Sequence, residues 1–444
     1  MLRPVNRSRL TAIAVVIAGV LPPSVRAQTS GAGSATSAPA SADVPTRTLA
    51  LSEFLATVAK SNPDLAAQRS ILMGVGAQRE VAKLYPNPVL GLAYSADVTG
   101  NHMPSTFSPG LQQTVLLGGK VSARGDVTEH AYQQAAWQYE DFGRTLRSAA
   151  ASAYVDALVA ELDAARRRES ADAVDRLANA NQARFQAGEI GEADLLQSRV
   201  ERLRFRADFL GAESSRRQSL LLLSLFMGTR GNDTLYAPVP FQYGAPRTFD
   251  LTALIDSAMQ RRPDVLAARQ ATDAARAGAE LTRANRVSDL ALGFGVIANT
   301  QSTNEIAPSP AWQAAALSLS FPLPLSNLWN KGDLQVAQYA VEQAEHAQAS
   351  VQVRAENDVR QSFARYSLAV ERMNAYSGEL LADADRVLAA RTYSYQRGAA
   401  SLTDVLIAQQ AANDVYIAYY DALGEYLKSL VGVQVASGSA EIAF

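Results

Sequence analysis

The stretch Asn62-Pro63-Asp64-Leu65, with Ala66, Ala67 and Arg69 after it, returns 200 positions later. The second copy reads Arg262-Pro263-Asp264-Val265, with Ala267, Ala268 and Arg269 after it. The register continues downstream, because Leu90, Leu92 and Tyr94 recur as Leu290, Leu292 and Phe294. A shared pattern this long indicates that one half of the chain copies the other.

A third match lies near the end of each half. Phe185-Gln186-Ala187-Gly188 reappears as Tyr395-Gln396-Arg397-Gly398, and in both copies an Asp follows the Gly by six positions. A unit of this length, present twice, is no short solenoid repeat. It predicts a tandem duplication and a fold with two pseudo-symmetric halves.

The N-terminus has the pattern of an export signal. Arg3, Arg7 and Arg9 precede an apolar run over 10–21, and a small-residue cleavage pattern ends at Ala27. The alternative is an anchor helix, but such a run spans only ~18 Å against a ~30 Å hydrocarbon core. We therefore predict a signal peptide over 1–27. Segment 28–50 is rich in Ser, Ala and Gly and is predicted to be a disordered linker.

Charge and composition exclude several classes of protein. The net charge of −2 gives no electrostatic footprint for nucleic acid. The absence of cysteine excludes disulfides and lipid attachment at a Cys. After the signal, the longest apolar run, 220–227, is far too short for a transmembrane helix. An exported chain of this kind is periplasmic, extracellular or held in an outer membrane by strands.

The residues do not predict an enzyme. The three histidines are far apart, and Gly118-Gly119-Lys120 lacks the spacing of a phosphate-binding loop. The acidic pair Asp383 and Asp385 is expected on a solvated helix surface. We therefore predict no catalytic residue, no metal site and no cofactor.

Two proline-free stretches, 120–187 and 331–397, predict very long helices. Each would reach ~100 Å if unbroken, a length typical of coiled-coil-like assemblies. Each stretch is followed by a glycine, Gly188 or Gly398, which is suited to a left-handed cap. Return helices are predicted to follow, so each half contains one long helical hairpin. A purely structural coiled coil remains an alternative for these segments.

Four stretches break the helical period. Residues 89–117 and 289–322 each hold two runs in which apolar residues alternate with small or polar ones. A polar loop, expected at 99–109 in the first and 299–310 in the second, separates the two runs. Such a pair matches a transmembrane β-hairpin. A small soluble hairpin on a helical bundle is the alternative that periodicity leaves open.

The mature chain resembles the outer-membrane efflux factors, the TolC-like channel proteins. The resemblance rests on the duplicated order of helix, β-hairpin and long helical hairpin. It also rests on the two Pro-Asp motifs, on Tyr85-Pro86-Asn87-Pro88 before the first strand, and on the glycines at the two hairpin tips. A weaker similarity of the Pro-Asn-Pro stretch points to the cation-efflux branch of the family.

The resemblance implies a mainly α fold with a pair of transmembrane β-hairpins. In this family three copies close one twelve-stranded β-barrel in the outer membrane, above a long α-helical barrel. The predicted first repeat spans 51–228 with its tip near 185–195, and the second spans 251–432 with its tip near 395–405. The inter-repeat segment 229–250 and the tail 433–444 are expected to form a belt around the tunnel.

The function implied is passive export across the outer membrane, with a long extension into the periplasm. The expected partners are two further copies of the chain, outer-membrane lipid, a periplasmic adaptor and an inner-membrane pump of the RND type. The cargo would be metal cations or small toxic compounds, with a type I secretion duct as an alternative. The alternative from another class is a periplasmic adaptor or structural protein without a pore.

The resemblance places the adaptor contact at the hairpin tips. By position it assigns this contact to Phe185, Gly188, Ile190, Leu195, Tyr395, Gly398, Ser401 and Val405. Both glycines also fit a second interpretation, in which they only cap helices.

A gate is the second site that the resemblance implies, formed by Asp404, Tyr395 and Asp194. Three copies of Asp404 would form a ring of carboxylates that attracts cations and raises its own pKa. The alternative is a helix-start acid favoured by the helix dipole. The chain departs from the family at Ile407, where a second acid can stand, and at Ala400, where a basic residue can stand.

Overall fold

The computed structural model describes residues 46–98, 100, 103–229, 234–241, 245–376, 378–439 and 442–443. All of them belong to one compact unit, Val44–Phe444. The predicted signal peptide, 1–27, lies outside the described residues, as does the linker up to residue 45. No helix in the described ranges is long and apolar enough to cross a membrane.

The described residues of the first half of the chain form four helices and four strands. They are β1 (Thr46–Leu49), α1 (Leu51–Ser61), α2 (Pro63–Ala82), β2 (Val89–Ser95), β3 (Thr106–Val115), α3 (Lys120–Gln186), α4 (Glu192–Phe226) and β4 (Leu235–Pro238).

The second half repeats this order from its first helix onward. It contains α5 (Leu251–Arg261), α6 (Pro263–Asn285), β5 (Leu290–Asn299), β6 (Trp312–Ser320), a short 3₁₀ helix (Leu325–Leu328), α7 (Gly332–Ala375), α8 (Gly378–Gln396) and α9 (Leu402–Ala436). The mainly α fold with two internal repeats is therefore confirmed.

The Pro-Asp motifs link the start of one helix to the end of another in both repeats. In the first, the Asn62 side chain caps α2 by accepting from the N–H groups of Asp64 and Leu65. Its amide also donates to the carbonyl of Phe226, the last residue of α4, at 2.9 Å. The cap and this contact explain why the motif begins with a short polar residue.

In the second repeat, Arg262 makes the equivalent link with a charge. Its buried guanidinium pairs with Asp264 at 2.7 Å and with Asp358 at 3.0 Å. It also reaches the carbonyl of Ala436, the last residue of α9. Both repeats thus keep a contact between this motif and the end of a long helix, but an amide makes it in the first repeat and a guanidinium in the second.

Strands β2, β3, β5 and β6 form one antiparallel sheet in the order β2-β3-β5-β6. Register partners Leu90, Leu111, Phe294 and Leu317 cross one face of all four strands. The adjacent row on the other face is Gly91, Gly110, Gly295 and Ala316. In these rows one face is apolar and the other carries small residues, a contrast expected of strands between lipid and a lumen.

The long helices lie side by side in two layers. In the layer next to the sheet, α3 lies between α2 and α6, and α7 follows α6. In the layer toward the tips, α3 lies between α4 and α9, and α9 contacts first the end of α7 and then α8. Each layer is thus a row of four helical positions, the last of which in the second layer passes from α7 to α8.

A belt forms where the two layers meet, and we use this name for β1, β4, α1 and the end of α9. Strands β1 and β4 pair in parallel there. Phe54 and Val58 of α1 pack against Tyr154 of α3 in one apolar cluster. The Tyr154 hydroxyl donates to the carbonyl of Leu49 at 2.8 Å, which fixes the belt to α3.

Four expectations need correction. The predicted linker 28–50 extends too far, because Thr46–Leu49 forms β1 against Leu235–Pro238. The tail begins later than 433, because buried Val433 and Val435 continue the apolar face of α9 until Gly438 takes a positive φ of 76°.

The two other corrections concern breaks in regular structure. The second long helix is divided after Ala375, next to the Ser377-Gly378 pair; such pairs weaken helices. The first loop is shorter than the expected 99–109, because β3 begins at Thr106 and includes Pro109. Pro109 keeps its register with Leu92 of β2 but has no register partner in β5, which fits its missing N–H.

Candidate functional site

The candidate site is the pair of hairpin tips, where α3 turns into α4 and α8 turns toward α9. At the first tip, the N–H of Gly188 bonds to the carbonyl of Phe185, and that of Glu189 bonds to Arg184. At the second tip, Gly398 and Ala399 bond to Tyr395 and Ser394 in the same pattern.

Both tips are therefore Schellman motifs, which require a left-handed residue after the helix. Gly188 and Gly398 have φ values of 76° and 74°. The predicted capping role of both glycines is confirmed. Both glycines are also exposed, and no neighbouring atom lies within 4 Å of a Cβ built on either one.

Asp404 lies in the first turn of α9 and forms a capping box with Ser401. Its carboxylate accepts from the N–H of Ser401 at 2.9 Å, and the Ser401 hydroxyl accepts from the N–H of Asp404 at 3.2 Å. The Ser401 backbone and side-chain hydrogen bonds hold the pKa of Asp404 below its usual value. Within one protomer, the helix-start interpretation of Asp404 is thus satisfied.

The first tip lacks this cap. Asp194 stands at the matching position, but the residue before α4 is Gly191, which offers no side-chain oxygen. The Asp194 side chain is exposed. The two predicted gate acids therefore have different surroundings.

Tyr395 is buried, with 7% of its surface exposed. Its hydroxyl donates to the Asn181 side-chain oxygen at 2.7 Å, which joins α8 to α3. The Arg184 guanidinium lies 5.3 Å from the centre of the Tyr395 ring. An apolar group that we call the tip cluster surrounds the ring; it consists of Tyr395, Leu402, Val405 and Leu406, with Leu177 of α3 packed against it.

The eight predicted contact residues fall into two groups. Leu195, Tyr395 and Val405 are buried inside the protomer, where they hold the tips together. Phe185, Gly188, Gly398 and Ser401 are exposed, and Ile190 is half-buried. The exposed group forms the accessible end of the helical layer.

Sequence reasoning missed a line of buried polar residues between α3 and the second hairpin, which we call the polar seam. Its α3 members are Arg166, Ser170 and Asn181. Ser170 donates to Asn413 at 2.6 Å, and Gln409 donates to Ser170 at 3.2 Å. The signal was present in the sequence, because Ser170 and Asn181 fall on the same helical face as buried Ala171, Val174 and Ala178.

The polar seam ends at Arg166. Its guanidinium lies 3.9 Å from the centre of the Tyr416 ring. Tyr416 in turn donates to Asp385 of α8 at 2.6 Å. Burial, and then the hydrogen bond to the Asp385 carboxylate, raise the pKa of Tyr416 to about 12.

The part of the chain that the structure describes contains no group of three His, Asp or Glu side chains placed to hold a metal ion. The tips instead offer exposed backbone at two glycines, carboxylates and a buried tyrosine link. Backbone and side chains at the tips are therefore accessible from outside the protomer.

Comparison with known proteins identifies the family. The family model described as outer membrane efflux protein matches residues 55–229 and again 254–439. The chain belongs to the outer membrane efflux protein family. The two matched segments also confirm the duplication, and the protein is an efflux duct of the outer membrane with a long periplasmic extension. This decides against the alternative of an adaptor without a pore.

Solved structures of outer-membrane channels share the fold of this efflux protein. OprN matches with a TM-score of 0.72 at 15% identity, over 88% of this chain and 90% of the other. CusC matches with 0.69 at 18% identity, over 88% and 92%. The open state of MtrE from Neisseria gonorrhoeae matches with 0.69 at 19% identity, over 88% and 89%. No curated protein matches the chain.

Proposed function

We propose that this efflux protein is the exit duct of a tripartite efflux system. It works as a passive homotrimeric channel, joined through a periplasmic adaptor to an inner-membrane pump of the RND type. Its cargo is metal cations or small toxic compounds delivered by that pump. The observation that carries the proposal is that every layer of the protomer ends in an open edge.

The sheet has free edges at β2 and β6. The first helical row ends at α2 and α7, and the second ends at α4 and α8. Open strand edges are not tolerated in lipid, because their N–H and C=O groups have no partner there. Further copies of the chain, arranged in a ring, would cover the open edges of the sheet and of both helical rows at once.

Exposed apolar side chains lie on the edge helices. They are Ile71 and Val81 on α2, Val336 and Tyr339 on α7, Val200 and Leu203 on α4, and Leu380 and Val387 on α8. Apolar surface of this extent calls for a protein partner. A cyclic arrangement would pair each α8 with the α4 of the next copy, and the family resemblance supports three copies.

A cross-linking experiment tests this closure. The chain has no cysteine, so Val200→Cys and Val387→Cys introduce a single pair of thiols. Val200 lies twelve residues after Gly188, and Val387 lies eleven residues before Gly398, so both stand at a similar height above the tips. With a short thiol cross-linker, the double variant is expected to run as a dimer and a trimer and nothing larger.

The two single variants are the matched controls and should stay monomeric under denaturing conditions. A ladder that continues beyond the trimer, or no cross-link at all in folded protein, would contradict the proposed ring.

We assign the adaptor contact to the exposed tip residues. Gly188 and Gly398 let another helix tip approach the backbone. Phe185, Ile190 and Ser401 surround them. The buried residues Leu195, Tyr395 and Val405 support this surface from within.

We assign the gate of the channel to the same tips. The Tyr395–Asn181 bond holds the second hairpin to the first, and its loss would favour opening. Three copies of Asp404, and three of Asp194 near them, would surround one axis with carboxylates that attract cations.

A further inference from the structure

The connections from sheet to long helix differ between the repeats. In the first repeat only four residues, 116–119, separate β3 from α3. In the second repeat eleven residues, 321–331, separate β6 from α7. We call Phe321–Trp329 the junction segment; the first repeat has no counterpart of this length.

The junction segment continues the apolar face of the sheet. Leu317 and Leu319 lie on the same face of β6 as the row through Leu90 and Phe294. Phe321 and Leu323 each precede a proline, which favours extended backbone. Because side chains alternate along extended chain, both residues keep the side of Leu317 and Leu319. The apolar face therefore extends beyond the last paired residue, Ser320.

The end of the junction segment is folded against α6. Pro324 takes φ −80° and ψ 57°, and the N–H of Leu325 bonds to the carbonyl of Leu323 at 2.8 Å, an inverse γ-turn. A 3₁₀ helix follows. Arg286, the residue that follows α6, donates to the carbonyls of Asn327 and Asn330, and Asn327 donates back to the carbonyl of Arg286 at 3.2 Å.

This arrangement pairs several backbone groups of the segment and leaves its apolar side chains exposed. Trp329 is 80% exposed, and Phe321, Leu323 and Leu325 are all more than half exposed. Lys331 is exposed immediately after them. In membrane proteins, tryptophan is enriched at the boundary between lipid headgroups and acyl chains, and a nearby lysine can reach the headgroups.

We infer that the junction segment lies in the phospholipid headgroup layer at the periplasmic face of the outer membrane, where it anchors each protomer. Trp329 and Leu325 enter the boundary region, and Lys331 faces the lipid phosphates. The inference rests on the membrane placement of the sheet proposed above. The alternative is that a second copy of the chain covers the apolar side chains of the junction segment.

Two observations favour lipid over the second copy. The apolar side chains continue the lipid-facing row of β6 and not its edge. Pro322 and Pro324 also lack the N–H groups that an added strand would need for pairing.

Quenching of tryptophan fluorescence by brominated lipid tests the inference. The chain has three tryptophans, Trp137, Trp312 and Trp329. Trp137→Phe with Trp312→Phe leaves Trp329 as the sole emitter. The full-length protein is reconstituted in phosphatidylcholine vesicles brominated either near the headgroup or near the chain end. Trp329 is expected to lose about half of its emission with headgroup-proximal bromine, and less with the deeper label, because interfacial tryptophan stays at headgroup level.

Two control proteins make the result decisive. Trp137 alone, on periplasmic helix α3, should not be quenched. Leu317→Trp in a background in which all three native tryptophans are Phe reports the lipid face of the sheet, because Leu317 is 84% exposed there. It should be quenched by both lipids.

The outcomes separate the two claims. Quenched Leu317→Trp with unquenched Trp329 would overturn the anchor and leave the membrane placement of the sheet intact, as expected if a second copy covers the segment. If neither is quenched in a folded, reconstituted sample, the placement of the sheet is wrong and the anchor with it.

Discussion

The contact between α3 and α9 is apolar near the belt and polar toward the tips. At the belt, Val155 and Leu158 of α3 pack against Leu423, Leu427 and Leu430 of α9. Toward the tips the polar seam replaces them, and the contact is apolar again at the tip cluster. Each buried apolar side chain contributes about 1.5–3 kcal/mol, whereas a hydrogen bond contributes about 0.5–1.5 kcal/mol net because water replaces it.

The difference shows which part of the helical layer is fixed and which part can adjust. Separation at the belt would expose apolar surface, whereas separation along the polar seam would return polar groups to water. The break after Ala375 divides the second long helix near Arg166, where the polar seam ends, since Tyr376 packs on Tyr419, one turn beyond Tyr416. The sites with proposed roles in docking and gating therefore lie on the adjustable part.

A substitution at the belt is expected to cause the largest loss of stability. Leu427 is fully buried, so Leu427→Ala should lower the free energy of unfolding by about 2–5 kcal/mol through lost burial and a cavity. Denaturant unfolding of the detergent-solubilised protein measures it. Ile407 on the same helix is the control, since it is mostly exposed and Ile407→Ala should change the stability little. Equal losses at both positions would remove the distinction between fixed and adjustable regions.

A smaller effect is expected where the second hairpin meets α3 near the tips. Tyr395→Phe removes the donor to buried Asn181, and an unpaired buried group costs about 1–3 kcal/mol. Amide hydrogen exchange should accelerate over 395–406 and stay unchanged at the belt. Tyr393→Phe, at an exposed ring, is the matched control and should behave as wild type. Acceleration spread equally over belt and tip would show that the two regions open as one unit.

Loss of the capping box should destabilise the protein less than loss of the Tyr395–Asn181 bond. Ser401→Ala removes the side-chain acceptor at the start of α9, and the loss of an N-cap costs about 1 kcal/mol. The same exchange measurement should show the effect confined to the first turns of α9. Ser401→Asp, which keeps an oxygen at the N-cap, should restore most of the protection; failure of this rescue would mean that the cap is not the cause.

The smallest effect concerns pH. The hydrogen bonds from Ser401 lower the pKa of Asp404 below the ordinary value of 3.8. A lowered pKa means that the carboxylate stabilises the folded tip above that value and loses this contribution as the pH falls below it. Exchange over 401–406 should therefore accelerate in acid, and Asp404→Asn should abolish the pH dependence. A midpoint well above 4 would instead indicate three carboxylates close together, as in the proposed ring.

Much of the fold could be predicted because it depends on local periodicity. Each of three sequence signals determines the structure of its own neighbouring residues. They are the duplicated Pro-Asp motifs, the alternation in the strands and the glycines after the long helices. Strand β1 could not be found in this way, because its four residues pair with Leu235–Pro238, about 190 positions away. The division of the second long helix was visible in Ser377-Gly378, but one glycine in a long helical pattern is often tolerated.

The candidate site was predictable only in outline. Position along the hairpin identified the tips and the capping glycines. It could not separate exposed Phe185 from buried Tyr395, because that difference depends on Asn181 in the other repeat. The role of Arg262 was equally hidden, since its partner Asp358 lies almost a hundred positions later.

Single-channel conductance in planar bilayers tests the central claim most directly, that the protein is a channel adjusted at its tips. Purified wild-type protein should give discrete openings of one size, and Tyr395→Phe should open more often or more widely, while Leu427→Ala should not. Asp404→Ala should weaken block by multivalent cations. Insertion without any conductance, or openings indifferent to both tip variants, would contradict the account.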